Sequence, residues 1–239
     1  MPGAIACAAL LALPAPAGAH STPSVLYKRL SDLHTLSRWA YPTSEMHARA
    51  APSPRAPVVG QLHFFTIDEQ AELYVVLASA RASARASGGT WLQVELPGRP
   101  NGQRGWVPRA ALGALNIVRS YLHVDRAHLV ATLFREGRAI FSAPVGVGKA
   151  STVTPAGHFY VLEKLRTLNA PIYGPYALGT SAYAPTLSEW PGGGVVGVHG
   201  TDEPALIPGR PSHGCIRMRD ADVSRLWAMI AVGTPIEIT

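Results

Sequence analysis

Val196-Gly197-Val198-His199-Gly200-Thr201 and, one loop later, Ser212-His213-Gly214-Cys215-Ile216-Arg217-Met218 hold most of the chemical information in this chain. A thiol that attacks a carbonyl must shed its proton near neutral pH, and the common device is an imidazole beside it. His199 and Cys215 fit that pairing. Val195 to Val198 reads as a short apolar strand interrupted by Gly197, which puts His199 at a strand end facing a cleft. Gly214 flanks the thiol, where a missing side chain lets a substrate backbone come close. Taken singly, such residues fit an inert buried cysteine with two hydrogen-bonded histidines equally well. Their spacing and neighbours favour the paired reading.

His199-Gly200-Thr201, a loop, and Ser212-His213-Gly214-Cys215-Ile216-Arg217 together resemble the signature of the L,D-transpeptidase (YkuD) catalytic domain, which lies near the C-terminus of its chains as it does here. Thr154-Pro155-Ala156-Gly157-His158-Phe159 resembles a further strand of that family. The resemblance implies that Cys215 is the nucleophile and His199 the proton donor and acceptor. It implies that the backbone carbonyl of Gly200 orients His199, and that His213 is a structural member of the site. It also implies the substrate: Cys215 attacks the carbonyl joining the third residue of a peptidoglycan stem tetrapeptide to its terminal D-alanine, and an amine on a second stem resolves the thioester. Water as acceptor would make the enzyme an L,D-carboxypeptidase, and nothing in the motif decides between the two.

The remaining site residues follow from chemistry at the motif. The backbone N–H groups of Gly214 and Cys215 can form an oxyanion hole. His213 is a rival base, although Gly214 makes it doubtful that the two side chains share a face. Arg217 suits either a substrate carboxylate or the bracing of the loop, and Ser212 is placed to hydrogen-bond the loop at the substrate's edge. Asn169 to Pro191, rich in Pro, Gly and Tyr, reads as an irregular active-site wall, with Tyr176 and Tyr183 as substrate contacts. The adjacent histidine is expected to lower the thiol's pKa.

The chain of 239 residues has room for one large or two small domains. Its net charge of +6 favours an anionic setting such as acidic wall polymers. Lys and Arg are scattered, with no basic helix and no aromatic-interleaved basic stripe, which disfavours nucleic-acid binding. Residues 1–19 read as a signal peptide cut after Ala19, too short and too Pro-rich for a stable membrane span, so an exported protein of the cell envelope or wall is expected. Cys7 lies in that segment. Without it Cys215 has no intramolecular disulfide partner, which favours a reactive thiol.

The expected fold is mainly β: residues 20–44 a linker, 45–113 a small SH3-like barrel, and 116–239 a mixed, β-rich catalytic domain with a short C-terminal helix. Apolar runs at Val58 to Leu62, Leu73 to Leu77, Trp91 to Leu96 and Gly105 to Pro108 supply the barrel, and Arg49-Ala50-Ala51-Pro52, Trp91-Leu92-Gln93-Val94 and Gly105-Trp106-Val107 resemble the bacterial SH3-like module. Ala78 to Ala86 reads as a solvated loop, and Pro97 to Gly102 as a turn. Ile117 to Val124, His128 to Phe134 and Arg138 to Val145 form a meander with a tight hairpin at Arg135-Glu136-Gly137. Val223, Leu226, Trp227 and Ile230 recur at helical spacing behind Asp220-Ala221-Asp222, and Gly233 precedes a last strand.

Other thiol chemistries fit less well. In NlpC/P60 peptidases the cysteine precedes the histidine, and a sortase places its arginine well beyond a Thr-Leu-x-Thr-Cys motif. A zinc site from His199, His213 and Cys215 lacks a fourth ligand and the usual spacing, and no cofactor is implied. The non-enzymatic alternative is a wall-binding protein with a decayed catalytic half, but both Cys215 and His199 are intact.

Overall fold

The computed structural model describes residues 27–81, 89–167, 169–187 and 193–239. The expected signal peptide, residues 20–26 of the expected linker and most of the Ala78 to Ala86 loop lie outside the described residues.

Two sheets divide the chain in sequence order. The first holds β1 (Tyr27–Arg29), β2 (Ser37–Ala40), β3 (His47–Arg49), β4 (Val58–Gln61), β5 (Tyr74–Arg81), β6 (Thr90–Glu95), β7 (Arg104–Pro108) and β8 (Asn116–Val118). They run in the order β4-β3-β7-β6-β5-β2-β8, with β1 also pairing β5. The second holds β9 (Ser120–Asp125), β10 (Val130–Arg135), β11 (Arg138–Pro144), β12 (Gly146–Gly148), β13 (Gly157–Arg166), β14 (Tyr176–Tyr183), β15 (Val195–His199), β16 (Gly209–Ser212), β17 (Ile216–Arg217) and β18 (Pro235–Ile238), with one α-helix, α1 (Asp220–Met229). Its order is β11-β10-β9-β18-β13-β14-β15-β17-β12-β16.

The meander forms where expected, and Arg135 pairs with Arg138 across Glu136 and Gly137, both at positive φ, as a two-residue hairpin turn requires. Three expectations give way. Residues 27–44, read as linker, supply β1 and β2, because their short runs find ladder partners only in the distant β5 and β8. β8 pairs with β2, so the second sheet starts at Ser120 rather than Asn116. Asn169 to Pro191 is not irregular throughout, since it contains the eight-residue β14, whose Leu178 and Ala182 are fully buried.

Strand periodicity explains how the two sheets meet. Along β13, Phe159 and Val161 face the core of the second sheet, while Tyr160 and Leu162 face away from it. Along and just before β5, Tyr74 and Val76 face the first core, while Leu73, Val75 and Leu77 face outward. Those two outward faces meet, so Leu73, Val75, Leu77, Tyr160 and Leu162 form a core shared by both sheets. The Tyr160 hydroxyl donates to the Leu73 carbonyl at 3.1 Å, and Thr66 Oγ1 donates to Glu163 Oε2 at 2.6 Å. The N-terminal sheet is thus packed against the strand next to the one that carries the cleft floor.

Among the described residues, no helix is long and apolar enough to cross a membrane.

Candidate active site

β15 and β17 are adjacent parallel strands, with Val198 opposite Ile216 and His199 opposite Arg217. Val196, Val198 and Ile216 are buried in the core beneath, which fixes the two strand ends in register. His199 and Cys215 therefore open onto one cleft of about 340 Å³, walled also by Tyr173, Ala184, Leu187 and Gly197. The Gly197 N–H donates to Cys215 Sγ at 3.4 Å. A Cβ on Gly197 would stand 3.8 Å from His199 Cδ2, so the same glycine lies near both the imidazole and the sulfur.

His199 Nδ1 lies 2.6 Å from the Gly200 carbonyl oxygen. A carbonyl only accepts, so Nδ1 carries the proton and Nε2 keeps its lone pair. Burial pushes the imidazole pKa down to about 4, against the opposing pull of the Gly200 carbonyl, and the Arg217 charge lowers it further. The ring is neutral at neutral pH. Tyr173 meets it edge-on with centroids 4.9 Å apart. The nearby Asp202 is exposed, and the Gly200 carbonyl orients the ring.

The Gly200 carbonyl is itself fixed. A Cβ on Gly200 would stand 2.3 Å from Asp220 Oδ1 and 2.8 Å from Gly174 Cα, so only glycine permits this approach. Asp220, at the start of α1, accepts the Thr201 N–H at 3.0 Å. The sequence marks Asp220 as a helix-capping residue, but Arg219 occupies the N-cap, and the Asp220 carboxylate instead pins the backbone beyond His199.

The thiol loop is held from inside. Ser212 Oγ donates to the Cys215 carbonyl at 2.6 Å and accepts the Gly214 N–H at 3.1 Å. Thr154 Oγ1 donates to the Gly214 carbonyl at 2.7 Å and accepts the Gly148 N–H at 2.9 Å. Gly214 sits at φ +128°, a region that disfavours any side chain. These bonds revise one expectation. The Gly214 N–H is engaged by Ser212 and does not point a free donor at an oxyanion. The Ser212 hydroxyl is bonded within the loop, and Ser212 also lines the cleft.

The thiol also differs from expectation. Burial raises the Cys215 pKa, more than the Gly197 N–H and the Arg217 charge lower it. The resting pair is a neutral thiol beside a neutral imidazole. Arg217 Nη1 is paired with Glu203 Oε2 at 2.9 Å, which favours its bracing role, and Glu203 was not singled out from the sequence. His213 is exposed at the rim of the cleft.

The two tyrosines named as substrate contacts sit elsewhere. Tyr176 stacks on Trp227 with centroids 4.6 Å apart, and the Tyr183 ring lies under the Arg99 guanidinium at 4.9 Å. Tyr173 is the tyrosine that walls the cleft. Trp227, on the apolar stripe of α1, is covered by Tyr176 and by Lys164 Nζ, 4.1 Å above its ring. Asp68, from the N-terminal sheet's β4–β5 connection, also reaches the cleft wall. No sequence signal marks Asp68, because its proximity depends on how the two sheets dock. Among the described residues no group of three or more His, Cys, Asp or Glu side chains is placed to hold a metal ion.

The family model of the YkuD L,D-transpeptidase catalytic domain matches residues 119–238. The Bacillus subtilis protein named YkuD is 36% identical over 107 residues, 45% of this chain and 58% of that protein. Bacillus subtilis YqjB is 34% identical over 103 residues, 40% of this chain and 57% of that protein. The chain thus spans less than two thirds of the length of these curated relatives. Among solved structures, the catalytic domain of an Enterococcus faecium L,D-transpeptidase is 26% identical and covers 50% of this chain and 96% of that one, with a TM-score of 0.39. An L,D-transpeptidase from Mycobacterium smegmatis is 18% identical and covers 68% of this chain and 90% of that one, with a TM-score of 0.43. The family match carries the assignment, and these structural likenesses add nothing to it.

Proposed function

The chain belongs to the YkuD L,D-transpeptidase catalytic domain family, and from that premise we propose that it cross-links peptidoglycan through an acyl-enzyme on Cys215. The observation that carries the reading is that Cys215 and His199 line one cleft at the ends of adjacent strands, with His199 held by the Gly200 carbonyl in the tautomer that leaves Nε2 free to take a proton.

The reaction starts from the neutral pair. As Cys215 Sγ bonds to the carbonyl carbon before the terminal D-alanine of a stem tetrapeptide, its proton passes to His199 Nε2. The Cys215 backbone N–H stabilises the oxyanion, while Arg217, paired with Glu203, braces the loop. The C–N bond then breaks, and the imidazolium returns its proton to the leaving amine of D-alanine. In the second half, an amine of another stem loses a proton to Nε2 as it attacks the thioester. Collapse releases the new amide and returns that proton to sulfur. A buried thiol that ionises only as it attacks fits a site where substrate completes the exclusion of water.

With water in place of the amine the same residues would hydrolyse the thioester, giving L,D-carboxypeptidase activity. The exported location, the SH3-like character of the N-terminal sheet and contact with anionic wall polymers are part of the same proposal. Intact-protein mass spectrometry with a defined stem tetrapeptide tests it. The expected result is a mass gain equal to the tripeptide acyl group on the native chain and none on Cys215→Ala, while unchanged turnover by Cys215→Ala would overturn the assignment.

A further inference from the structure

The turn at Pro97 to Gly102 joins β6 to β7 in the N-terminal sheet, yet its side chains reach the wall of the cleft. Arg99 Nη1 donates to the Gly193 carbonyl at 2.8 Å, and Nη2 donates to the carbonyls of Ala184 and Leu187, both at 2.9 Å. Asn101 bonds Tyr183 twice, its Nδ2 donating to the Tyr183 carbonyl at 2.8 Å and its Oδ1 accepting the Tyr183 N–H at 2.9 Å. The Tyr183 ring lies under the same guanidinium.

The wall needs such donors. The β14–β15 ladder closes with Tyr183 opposite Val195, and the carbonyls of Ala184, Leu187 and Gly193 lie past its end. Unpaired backbone acceptors must find donors elsewhere. Three carbonyls converge on one planar guanidinium, a geometry that a fork of fixed N–H groups satisfies and a single ammonium does not. The held segment lies next to the thiol loop, since a Cβ on Gly214 would stand 3.3 Å from Ala184 Cβ, and both residues line the cleft. Arg99 thus holds a residue that neighbours the one before Cys215.

We propose that Arg99 and Asn101 are positioning residues by which the N-terminal sheet sets the Tyr183 to Leu187 wall of the catalytic cleft, so that the substrate-binding surface is built by both halves of the chain. Its kinetic consequence rests on the acyl-transfer reading; the mechanical claim does not. Releasing the wall widens the cleft and weakens peptide binding. It leaves the sulfur, His199 and their hydrogen bonds in place.

The test uses the full chain with Arg99→Ala, Arg99→Lys and Asn101→Ala. Hydrogen exchange at the Tyr183 and Ala184 amides is expected to accelerate in Arg99→Ala, with Arg99→Lys intermediate. In the same variant kcat/KM for a stem tetrapeptide falls between about ten- and hundredfold, chiefly through KM, as loss of a positioning contact predicts. Alkylation of Cys215 by iodoacetamide, too small to need the wall, stays at the native rate. Should Arg99→Ala fail to fold, Asn101→Ala carries the same comparison. Native exchange and native kcat/KM in the variants would overturn the inference, as would a parallel loss of alkylation and thermal stability, which marks general damage. If the native chain does not turn over the tetrapeptide, the functional reading fails, and hydrogen exchange alone still decides whether Arg99 holds the wall.

Discussion

The Gly197 N–H points at Cys215 Sγ across 3.4 Å, and this bond favours a thiolate in a site whose burial opposes it. The opposition wins, so Cys215 rests protonated. Iodoacetamide alkylation of the free protein is therefore expected to be slow at neutral pH and to rise with a midpoint above the ordinary thiol value of about 8.5. A fast rate that is flat from acid to neutral pH would show a resting thiolate and imidazolium pair instead.

His199 makes folding stability depend on pH in a defined direction. Its pKa is about 4 in the folded chain and about 6.5 when unfolded. Between those values the unfolded chain binds the extra proton, so the contribution of His199 is complete above pH 6.5 and is lost as pH falls towards 4. The loss is on the order of 3 kcal/mol. Urea unfolding of the native chain and His199→Asn at a series of pH values should show a shallower slope in the variant across that window.

Glu95 acts in the opposite sense. It is 3% exposed, and burial pushes its carboxyl pKa up to about 7, with Arg104 pulling the other way. The folded chain holds its proton more tightly, so its contribution is complete below the unfolded value near 4.3 and is lost as pH rises through 7. Glu95→Gln should match the native chain in stability at pH 4 and exceed it at pH 8 by up to about 3 kcal/mol. A variant less stable at pH 8 would show that the ionised carboxylate is better compensated than its surroundings indicate.

Thr154 joins two backbone groups, the Gly148 N–H and the Gly214 carbonyl. Replacing its hydroxyl by the methyl of Thr154→Val keeps the shape and leaves both groups buried and unpaired. The expected cost is about 1–3 kcal/mol for each such group, together with slower acylation of Cys215, because Gly214 adjoins it. Native acylation in a variant destabilised by this amount would separate loop anchoring from chemistry.

Gly200→Ala tests how His199 is oriented. Its Cβ would collide with Asp220 Oδ1 and Gly174 Cα, and the carbonyl that fixes Nδ1 would have to move. Acylation is expected to fall by about a hundredfold, the size of effect that misplacing a reacting group by an ångström can have. Near-native acylation would mean that the backbone absorbs the methyl without turning the ring.

What could be read before folding was whatever depends on local pattern. The Glu136-Gly137 turn and the apolar stripe of α1 are set by neighbours in sequence and form as expected, whereas the period-two run of Ile117 to Val124 divides, its first two residues joining the N-terminal sheet and Ser120 onward forming β9. The paired placement of His199 and Cys215 was legible because both stand at the ends of short strands with a fixed motif around them. Arg217 left two options open, and only the position of Glu203 in the folded loop separates them. Tyr176 and Tyr183 were misplaced because a Pro, Gly and Tyr-rich composition hides a strand, and because the partners that take up those rings, Trp227 and Arg99, come from distant parts of the chain.

The amino-acid order by itself determined the mainly β character, the family and the identity of the thiol and imidazole, because these rest on alternation, turn chemistry and a dense local motif. Only the tertiary structure decided that the thiol is held protonated, that Tyr173 rather than its neighbours walls the cleft, and that Arg99 and Asp68 reach it from the other sheet. Those outcomes depend on burial and on contacts between residues far apart in the chain, and local sequence carries no signal of what a distant segment will bring alongside.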